Sequence, residues 1–466
     1  MPQARRLPAV AVASPPFVGR EAMGYNPTFD GAAAGRSSSD PQELPVKIAV
    51  IGLGYVGLPL AMVFAEAGIE VVGIEAVASR CDEINAGRSY IQDVPGESLA
   101  AMVAEGLLHA TTDYAATEDC DADIICLPTP LNANREPDLT LVKDATVKLA
   151  GHLRRGQLVT LESTTYPGTT RDELAPILEA GSGLKAGVDF HVAFSPERVD
   201  PGRTDYTTKS TPKVIGGLTP ACTARALEVY KPALDHVVPV STPEVAEMTK
   251  LLENIFRSVN IALMNELAML CDRMRIDVWE VIDAAATKPF GFMKFQPGPG
   301  LGGHCIPIDP FYLSWKAREF DFWTEFIELA GKVNENMPYF CVEKLHRALN
   351  TRGKSLNGAK VLVLGVAYKA DIDDLRESPA LKVIRLLRAQ GADVRYHDAY
   401  CPQLPELGMS SVPLEGERPY AAYDVVAIVT AHSAVDYRVV AQEADLVVDF
   451  RNATAGLSSA GNVWKL

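Results

Sequence analysis

The stretch KIAVIGLGYVGLPLAMVFAEAGIEVVGIE, residues 47–75, constrains the fold more tightly than any other part of the chain. IAVIG is an apolar strand closed by glycine, Leu58 to Ala67 has helical composition, Gly68 suits a helix stop, and EVVGIE is a second strand. Glycines at 52, 54 and 57 make G-x-G-x-x-G at the strand-to-helix turn, and Glu75 follows eighteen residues after Gly57. Glycines there let the backbone approach a pyrophosphate, the helix N-terminus faces it, and the carboxylate takes ribose hydroxyls. The cofactor-contacting residues expected are therefore Gly52, Gly54, Tyr55, Val56, Gly57 and Glu75, with Arg80 nearby. A bare glycine turn also occurs with no ligand; the strand–helix–strand setting and the acidic end argue for one. Glu75 would repel a 2′-phosphate, which favours NAD, while Arg80 keeps NADP open.

Further apolar strands run into polar loops at ADIICLPTP (122–130), QLVTLESTTYPGT (157–169) and VDFHVAFSPERVDPGR (188–203). Ligands of such sheets sit beyond the carboxyl ends of the strands, which places Thr129, Glu162 and Glu197 where a cofactor or substrate would meet them. A second opening, KVLVLGVAYKADIDDLRESPALKVIRLLRAQGADVRYHD (360–398), repeats strand, helix and strand with Gly365 alone at the turn. Two such units in one chain imply two nucleotides. Between them Thr242 to Arg275 has no internal glycine, no proline after Pro243 and strong helix formers throughout, so it is expected as one long helix, of the kind that also builds dimer cores. Lys250 and Asn254 share a face of it. Lys250 alone reads as a solvated surface residue, but Asn254 and Arg257 on an otherwise apolar helix point to a site. The expected fold class is α/β, two Rossmann-like doubly wound domains joined by a long central helix.

The net charge of −15 argues against nucleic acid or an anionic membrane as a general partner, so an anionic ligand needs local amides and a few placed cations. Eight cysteines with no C-x-x-C pair fit a reducing cytoplasm better than a disulfide or zinc framework, and no metal is expected. No apolar run approaches the roughly 18 residues of a membrane span. Residues 1–45, rich in Ala, Gly, Ser and Pro, are expected to be disordered; their two arginines and short apolar patch suggest a signal peptide but Pro8 interrupts it, and Met23 is an alternative start.

One further stretch, PGPGLGGHCIPIDP (297–310), surrounds a cysteine with glycine and proline. Glycine loses most entropy on ordering and proline lacks a donor, so a loop holding Cys305 is expected rather than a regular helix or inner strand.

Taken together, KIAVIGLGYVGLPLA, LPTP, ESTTYPGTT, SPERVDPG, the helix bearing Lys250 and Asn254, GGHCIPIDP and AYKADIDDLRESP resemble the UDP-glucose/GDP-mannose dehydrogenase family, from about Val46 to the C-terminus. The resemblance implies an NAD-binding domain (46–240), a central helical dimerisation segment with the cysteine loop (241–335) and a UDP-sugar-binding domain (336–466). It implies oxidation of a sugar C6 alcohol to a carboxylate in two NAD-dependent steps, by a homodimer or higher homo-oligomer. A hydride acceptor alone takes an alcohol only to an aldehyde. A thiolate carries it further, by attack to a thiohemiacetal whose oxidation gives a thioester that water hydrolyses. Cys305 is the nucleophile expected, against the plainer reading of a buried inert cysteine. Lys250 and Asn254 suit the oxyanions, and Lys250 would favour the thiolate. Glu197 matches the family's base, with Thr129 and Asp309 orienting its water; Asp309 equally suits ordering the loop. By the same correspondence Arg198, Gly302, Tyr368, Lys369 and Arg451 contact the UDP-sugar, Arg376 reaches back to NAD, and Glu162 borders the cofactor pocket.

Many UDP-glucose and GDP-mannose members carry Ser before the cysteine and Lys before the aspartate, where this chain has His304 and Ile308. SPERVDPGR also departs from the SPEF form of UDP-glucose enzymes through Arg198, Pro201 and Arg203. The form GGHCIPIDPFYL resembles the subgroup acting on UDP-N-acetylhexosamines, nearest those acting on UDP-N-acetyl-D-glucosamine; UDP-glucose and UDP-N-acetylmannosamine remain alternatives. A two-electron dehydrogenase of small hydroxy acids would share the first domain and the helical middle, but needs neither Cys305 nor the second unit.

Overall fold

The computed structural model describes residues 46–91, 93–132, 136–199, 206–303, 305–457 and 461–466. The expected N-terminal tail, Pro201, Arg203 and His304 lie outside the described residues.

Eight strands make the first sheet: β1 (Lys47–Ile51), β2 (Glu70–Ile74), β3 (Leu108–Thr111), β4 (Ala122–Ile125), β5 (Leu158–Leu161), β6 (His191–Phe194), β7 (Lys213–Gly217) and β8 (Val237–Val240). Their order is β3-β2-β1-β4-β5-β6-β7-β8, with every neighbouring pair parallel except β6 and β7. Helices α1 (Gly57–Glu66), α2 (Ala78–Asn85), α3 (Gly96–Ala104), α4 (Thr140–Ala150), α5 (Ala175–Ser182) and α6 (Pro220–Tyr230) are threaded between the strands. Alternate residues of β1 feed two different cores, Ile48 and Val50 one, Ala49 and Ile51 the other, as the two-residue repeat of a strand covered on both faces requires. The chain leaves β1 toward β2 on one side and returns to β4 on the other. The carboxyl ends of β1 and β4 therefore border the crevice where open sheets of this kind hold ligands.

The long helix forms as expected. α7 runs from Pro243 to Met274, about 48 Å of rise. Thr242 caps it by accepting the Val245 amide, and Arg275 stops it in the left-handed region at φ 61°. After α8 (Val278–Ala286) comes α9 (Cys305–Ala317), then α10 (Glu325–Asn350); α9 and α10 both pack along α7. The glycine-proline stretch thus divides. Residues 297–303 form the expected loop, whereas Cys305 opens a helix that the composition did not announce. Pro307 is tolerated there because first-turn amides have no intrahelical partner, and Pro310 removes one helical bond inside α9.

The second sheet is wholly parallel, ordered β10-β9-β13-β14-β15. It comprises β9 (Lys360–Leu364), β10 (Asp393–His397), β13 (Val425–Ile428), β14 (Val447–Asp449) and β15 (Val463–Lys465), with a small hairpin of β11 (Gln403–Leu404) and β12 (Met409–Ser410) and with helices α11 (Pro379–Ala389) and α12 (Tyr437–Glu443). The division drawn at 335/336 falls inside α10. That helix carries Pro338 without ending, and Lys382 of α11 donates to the Glu335 carbonyl near the proline. One apolar core runs from Met264 and Ala268 of α7 through Met337 and Leu345 of α10 to Val361 and Val363 of β9. Among the described residues no helix is long and apolar enough to cross a membrane.

Candidate active site

The three glycines of the first turn do three different jobs. Gly52 sits at φ +92°, and a Cβ there would lie 2.8 Å from the Cys126 carbonyl oxygen. A Cβ at Gly57 would lie 1.8 Å from the Gly52 oxygen, so only glycine lets α1 begin there. At Gly54 a Cβ would meet nothing within 4 Å. The described residues therefore give no reason for that glycine, while a pyrophosphate laid against the backbone would. Glu75, at the end of β2, accepts from the Leu53 amide (3.2 Å) and the Val77 amide (3.1 Å). Arg80 stands 3.8 Å from Glu75 and over the Tyr90 ring. Tyr55 is exposed on the turn, with Val56 following it into α1. This cradle fits a dinucleotide.

A second group gathers where α7 meets α9. Cys305 is partly exposed at the first position of α9, and Asp309, one turn on, is buried. The Asn254 Nδ2 donates to Asp309 Oδ2 at 2.5 Å, and burial pushes the Asp309 pKa up to about 6, against the pull of the Lys250 charge and the Asn254 bond. Lys250 is itself buried on the same face of α7. Thr129 follows β4; its hydroxyl donates to the Thr164 carbonyl (2.7 Å), and its own carbonyl accepts from the Tyr312 hydroxyl of α9. Burial is the largest cause raising the Tyr312 pKa, with the charges of Asp309 and Cys305 adding to it.

Glu197 stands just beyond β6 with its carboxylate held from three sides. Oε1 accepts from the Arg198 amide (2.8 Å) and the Val199 amide (2.7 Å), and Oε2 lies 3.3 Å from Lys213 Nζ. Burial raises the Glu197 pKa, but the Lys213 charge, the two amides and the Lys250 charge outweigh it, and the net shift is downward. Glu162 is fully buried; it takes Lys213 (2.5 Å) on one oxygen and the Tyr230 hydroxyl (2.7 Å) on the other. The structure thus ties Glu162 to the Lys213 cluster and not to the glycine turn. The Arg198 guanidinium is likewise engaged, with Glu253 of α7 (2.6 Å) and the Pro212 carbonyl (2.7 Å).

The loop before Cys305 is laid against the second sheet. A Cβ at Gly302 would come 2.5 Å from Tyr368 Cβ, and one at Gly303 (φ +82°) would press on the Tyr368 ring. The Gly303 amide donates to the Arg376 carbonyl (2.9 Å), and a Cβ at Gly298 would come 2.6 Å from Arg451 Nη1. Arg451 in turn donates through Nε to the Val429 carbonyl (2.8 Å). Half-buried Lys369 follows Tyr368. The Arg376 guanidinium is forked onto Asp374 and lies 5.2 Å from the centre of the Tyr55 ring, so it crosses from the second domain to the cofactor turn. A cavity of about 790 Å³ opens between Pro130–Asn132, the Ile306–Phe311 side of α9 and Leu375–Arg385. The structure therefore brings Cys305, Lys250, Asn254, Asp309, Thr129 and Glu197 into one neighbourhood. It sets Gly302, Tyr368, Lys369, Arg376 and Arg451 around the loop that leads to it.

Sequence reasoning passed over Lys213, Tyr230, Tyr312 and Asn265. Asn265 of α7 accepts the Gly298 amide (2.9 Å) and donates to Asn334 of α10 (2.9 Å), which anchors the glycine loop to the central helices. Each of these partnerships joins residues far apart in the chain, and no local spacing announces them.

Known proteins resemble the chain along most of its length. The family models for the UDP-glucose/GDP-mannose dehydrogenase family match its NAD binding domain at residues 46–234, its central domain at 244–336 and its UDP binding domain at 362–456. A UDP-N-acetyl-D-glucosamine 6-dehydrogenase of Pseudomonas aeruginosa is 34% identical over 389 residues, 83% of this chain and 91% of that protein. A UDP-N-acetyl-D-mannosamine dehydrogenase of Pyrococcus horikoshii is 39% identical over 356 residues, 76% of this chain and 84% of that protein. A solved structure of the Pyrococcus horikoshii UDP-D-ManNAc dehydrogenase superposes with a TM-score of 0.82 at 34% identity, covering 90% of this chain and 99% of that one.

Proposed function

The chain belongs to the UDP-glucose/GDP-mannose dehydrogenase family and is an NAD-dependent UDP-sugar dehydrogenase, and from that premise we propose that it oxidises the C6 hydroxyl of UDP-N-acetyl-D-glucosamine to the acid with Cys305 as covalent nucleophile. One observation carries the proposal. Cys305 and Asp309 begin the same helix, and the charge of Lys250 on α7 reaches both Asp309 and Glu197.

NAD, held by the glycine turn, Glu75 and Arg376, supplies the hydride acceptor. Every other role falls to the chain. Lys250 stabilises the alkoxide left as the C6 hydroxyl passes its proton to a water, and Asn254 has a second amide hydrogen for the oxyanion beyond the one given to Asp309. The Cys305 thiolate adds to the aldehyde carbon, and the first-turn amides of α9 favour the anion it starts from. After the second oxidation Glu197 takes a proton from water as the water oxygen bonds to the thioester carbon; the C–S bond breaks and the thiolate leaves. Tyr368, Lys369 and Arg451 line the UDP-sugar side, where the paired donors of arginine suit a diphosphate.

Cys305→Ser is expected to abolish acid formation while NAD binding persists in a titration. A UDP-sugar panel followed by NADH absorbance tests the substrate: two NADH per UDP-N-acetyl-D-glucosamine supports the proposal, and no turnover of that sugar removes it. UDP-N-acetyl-D-mannosamine is the second reading, favoured by the Pyrococcus horikoshii relative and its structural match.

We also place a second copy of the chain along α7. Met248, Leu252, Phe256, Leu263, Leu270 and Met274 recur at helical spacing on one face, and each is 41–61% exposed. Leu263→Glu is expected to shift the mass in light scattering toward one chain, and an unchanged mass would count against that face.

A further inference from the structure

Among the described strands the reversal of β7 against β6 is the one break in an otherwise parallel first sheet, and it has a consequence at the base. Ala193 pairs with Gly217 and Phe194 with Gly216. Continued three residues further, that register sets Lys213 opposite Glu197. The side chains meet there, with Lys213 Nζ 2.5 Å from Glu162 Oε2 and 3.3 Å from Glu197 Oε2. The lysine is only 4% exposed. The Glu162 contact lies out of bulk water and the Glu197 contact is partly buried, a setting in which a second carboxylate lacking its cation holds a proton more readily than in water.

We infer that Lys213 is a positioning residue for the base: its ammonium, shared between Glu162 and Glu197, keeps the Glu197 carboxylate ionised and fixed for thioester hydrolysis. The inference rests on the assignment of Glu197 as that base. Among the described residues the other groups that face this pair are Lys250 from α7, the Cys126 thiol beyond β4, and the Tyr230 hydroxyl of α6, which donates to the far oxygen of Glu162. Lys250 serves the reacting oxygen in the proposed chemistry, so among the described cations Lys213 is the one committed to the carboxylates. Tyr230 holds Glu162 from behind, so that Lys213 is stretched between two fixed anions and carries Glu197 with it.

The test follows the protein-bound thioester by intact mass, with NAD and UDP-N-acetyl-D-glucosamine, or UDP-N-acetyl-D-mannosamine where the first is not turned over, across a pH series. Lys213→Met is expected to raise the acid limb of hydrolysis by about two pH units, so that thioester accumulates in mildly acid solution, where the unaltered protein still clears it, and clears as neutrality is approached. Lys213→Arg is expected to keep the limb near its original place, because the charge remains. Glu162→Gln leaves Lys213 to Glu197 alone and is expected to lower the limb by about one unit; it decides the matter if Lys213→Met does not fold. An unmoved limb in Lys213→Met or Glu162→Gln, with thioester accumulating in Glu197→Gln at every pH, overturns the role of Lys213 and leaves the base in place. Normal turnover in Glu197→Gln overturns the base itself, whatever the lysine variants do.

Discussion

The turn after β1 is left open by glycine, whereas the turn after β9, built on the same strand–turn–helix plan, is filled from inside the protein. In the first, Glu75 at the end of β2 accepts the Leu53 and Val77 amides, and nothing within 4 Å would meet a Cβ on Gly54. In the second, Asp398 beyond β10 stands in the equivalent place and is buried. It accepts the amides of Val366, Ala367, Tyr400 and Cys401 and the Nε2–H of His432. His432 Nδ1 accepts the Asp371 amide (3.0 Å), which fixes that tautomer. Of the turn amides, the carboxylate takes only that of Leu53 in the first domain, whereas in the second it takes two in succession, those of Val366 and Ala367. The difference teaches that, under the proposed assignments, the two domains would hold nucleotides by different means, backbone in the first and the side chains of Tyr368, Lys369 and Arg451 in the second.

The largest effect expected from breaking this contrast comes from exchanging glycines. Gly365 lies at φ +77°, and a Cβ there would come 2.2 Å from the Thr430 carbonyl oxygen. Gly365→Ala should cost about 3–5 kcal/mol, read as a lowered denaturant midpoint. Gly54→Ala should change stability by no more than about 0.5 kcal/mol, yet weaken NAD binding about tenfold or more. A large stability loss in Gly54→Ala would mean that the first turn is as closed as the second.

Carboxylates give the next contrast. Burial raises the Asp398 pKa, but the His432 hydrogen bond, the Val366 amide and the remaining contacts outweigh it and bring it to about 2. A depressed carboxylate stabilises the fold above its unfolded pKa near 4, and the contribution is lost as pH falls through about 2. Asp398→Asn should therefore cost about 2–4 kcal/mol at neutral pH and flatten the stability curve between about pH 4 and 2. Glu75→Gln should cost about 1–2 kcal/mol and loosen NAD about tenfold, since the two amides bond to different oxygens and the single amide oxygen of glutamine can serve only one of Leu53 and Val77. An acid unfolding curve for Asp398→Asn that matches the unaltered protein would remove the clasp from the account.

These residues also mark how far the sequence could be read. The glycine triplet, both ends of α7 and the reach of Arg376 toward the cofactor turn were legible, because each rests on local spacing, capping chemistry or the family's motif. The helix at Cys305 was not. Glycine and proline preferences describe an isolated segment, and here a first turn with no amide partners to lose tolerates Pro307. Lys213, Tyr230, Asp398 and His432 were silent for another reason. Each acts through a partner brought close by sheet register, and a buried ion pair has no period in the chain.

The smallest effect tests whether the two turns, so differently built, are joined. The Arg376 guanidinium lies 5.2 Å from the Tyr55 ring centre while forked onto Asp374, and Tyr55 is 55% exposed. A cation over an aromatic face at a partly exposed site is worth about 0.5–1 kcal/mol. The measurement is a double-mutant cycle on NAD affinity with Tyr55→Leu, Arg376→Met and the pair. If the contact closes the second domain onto the cofactor turn, the single changes should overlap, with a coupling of about that size, a factor of two to five in affinity. Arg376→Met alone should weaken NAD more than Tyr55→Leu does, because the guanidinium loses both the ring and any phosphate it faces, whereas the ring loses only the cation. Strict additivity would separate the turns, leaving Arg376 to act on the cofactor directly and Tyr55 as a bystander on an exposed edge.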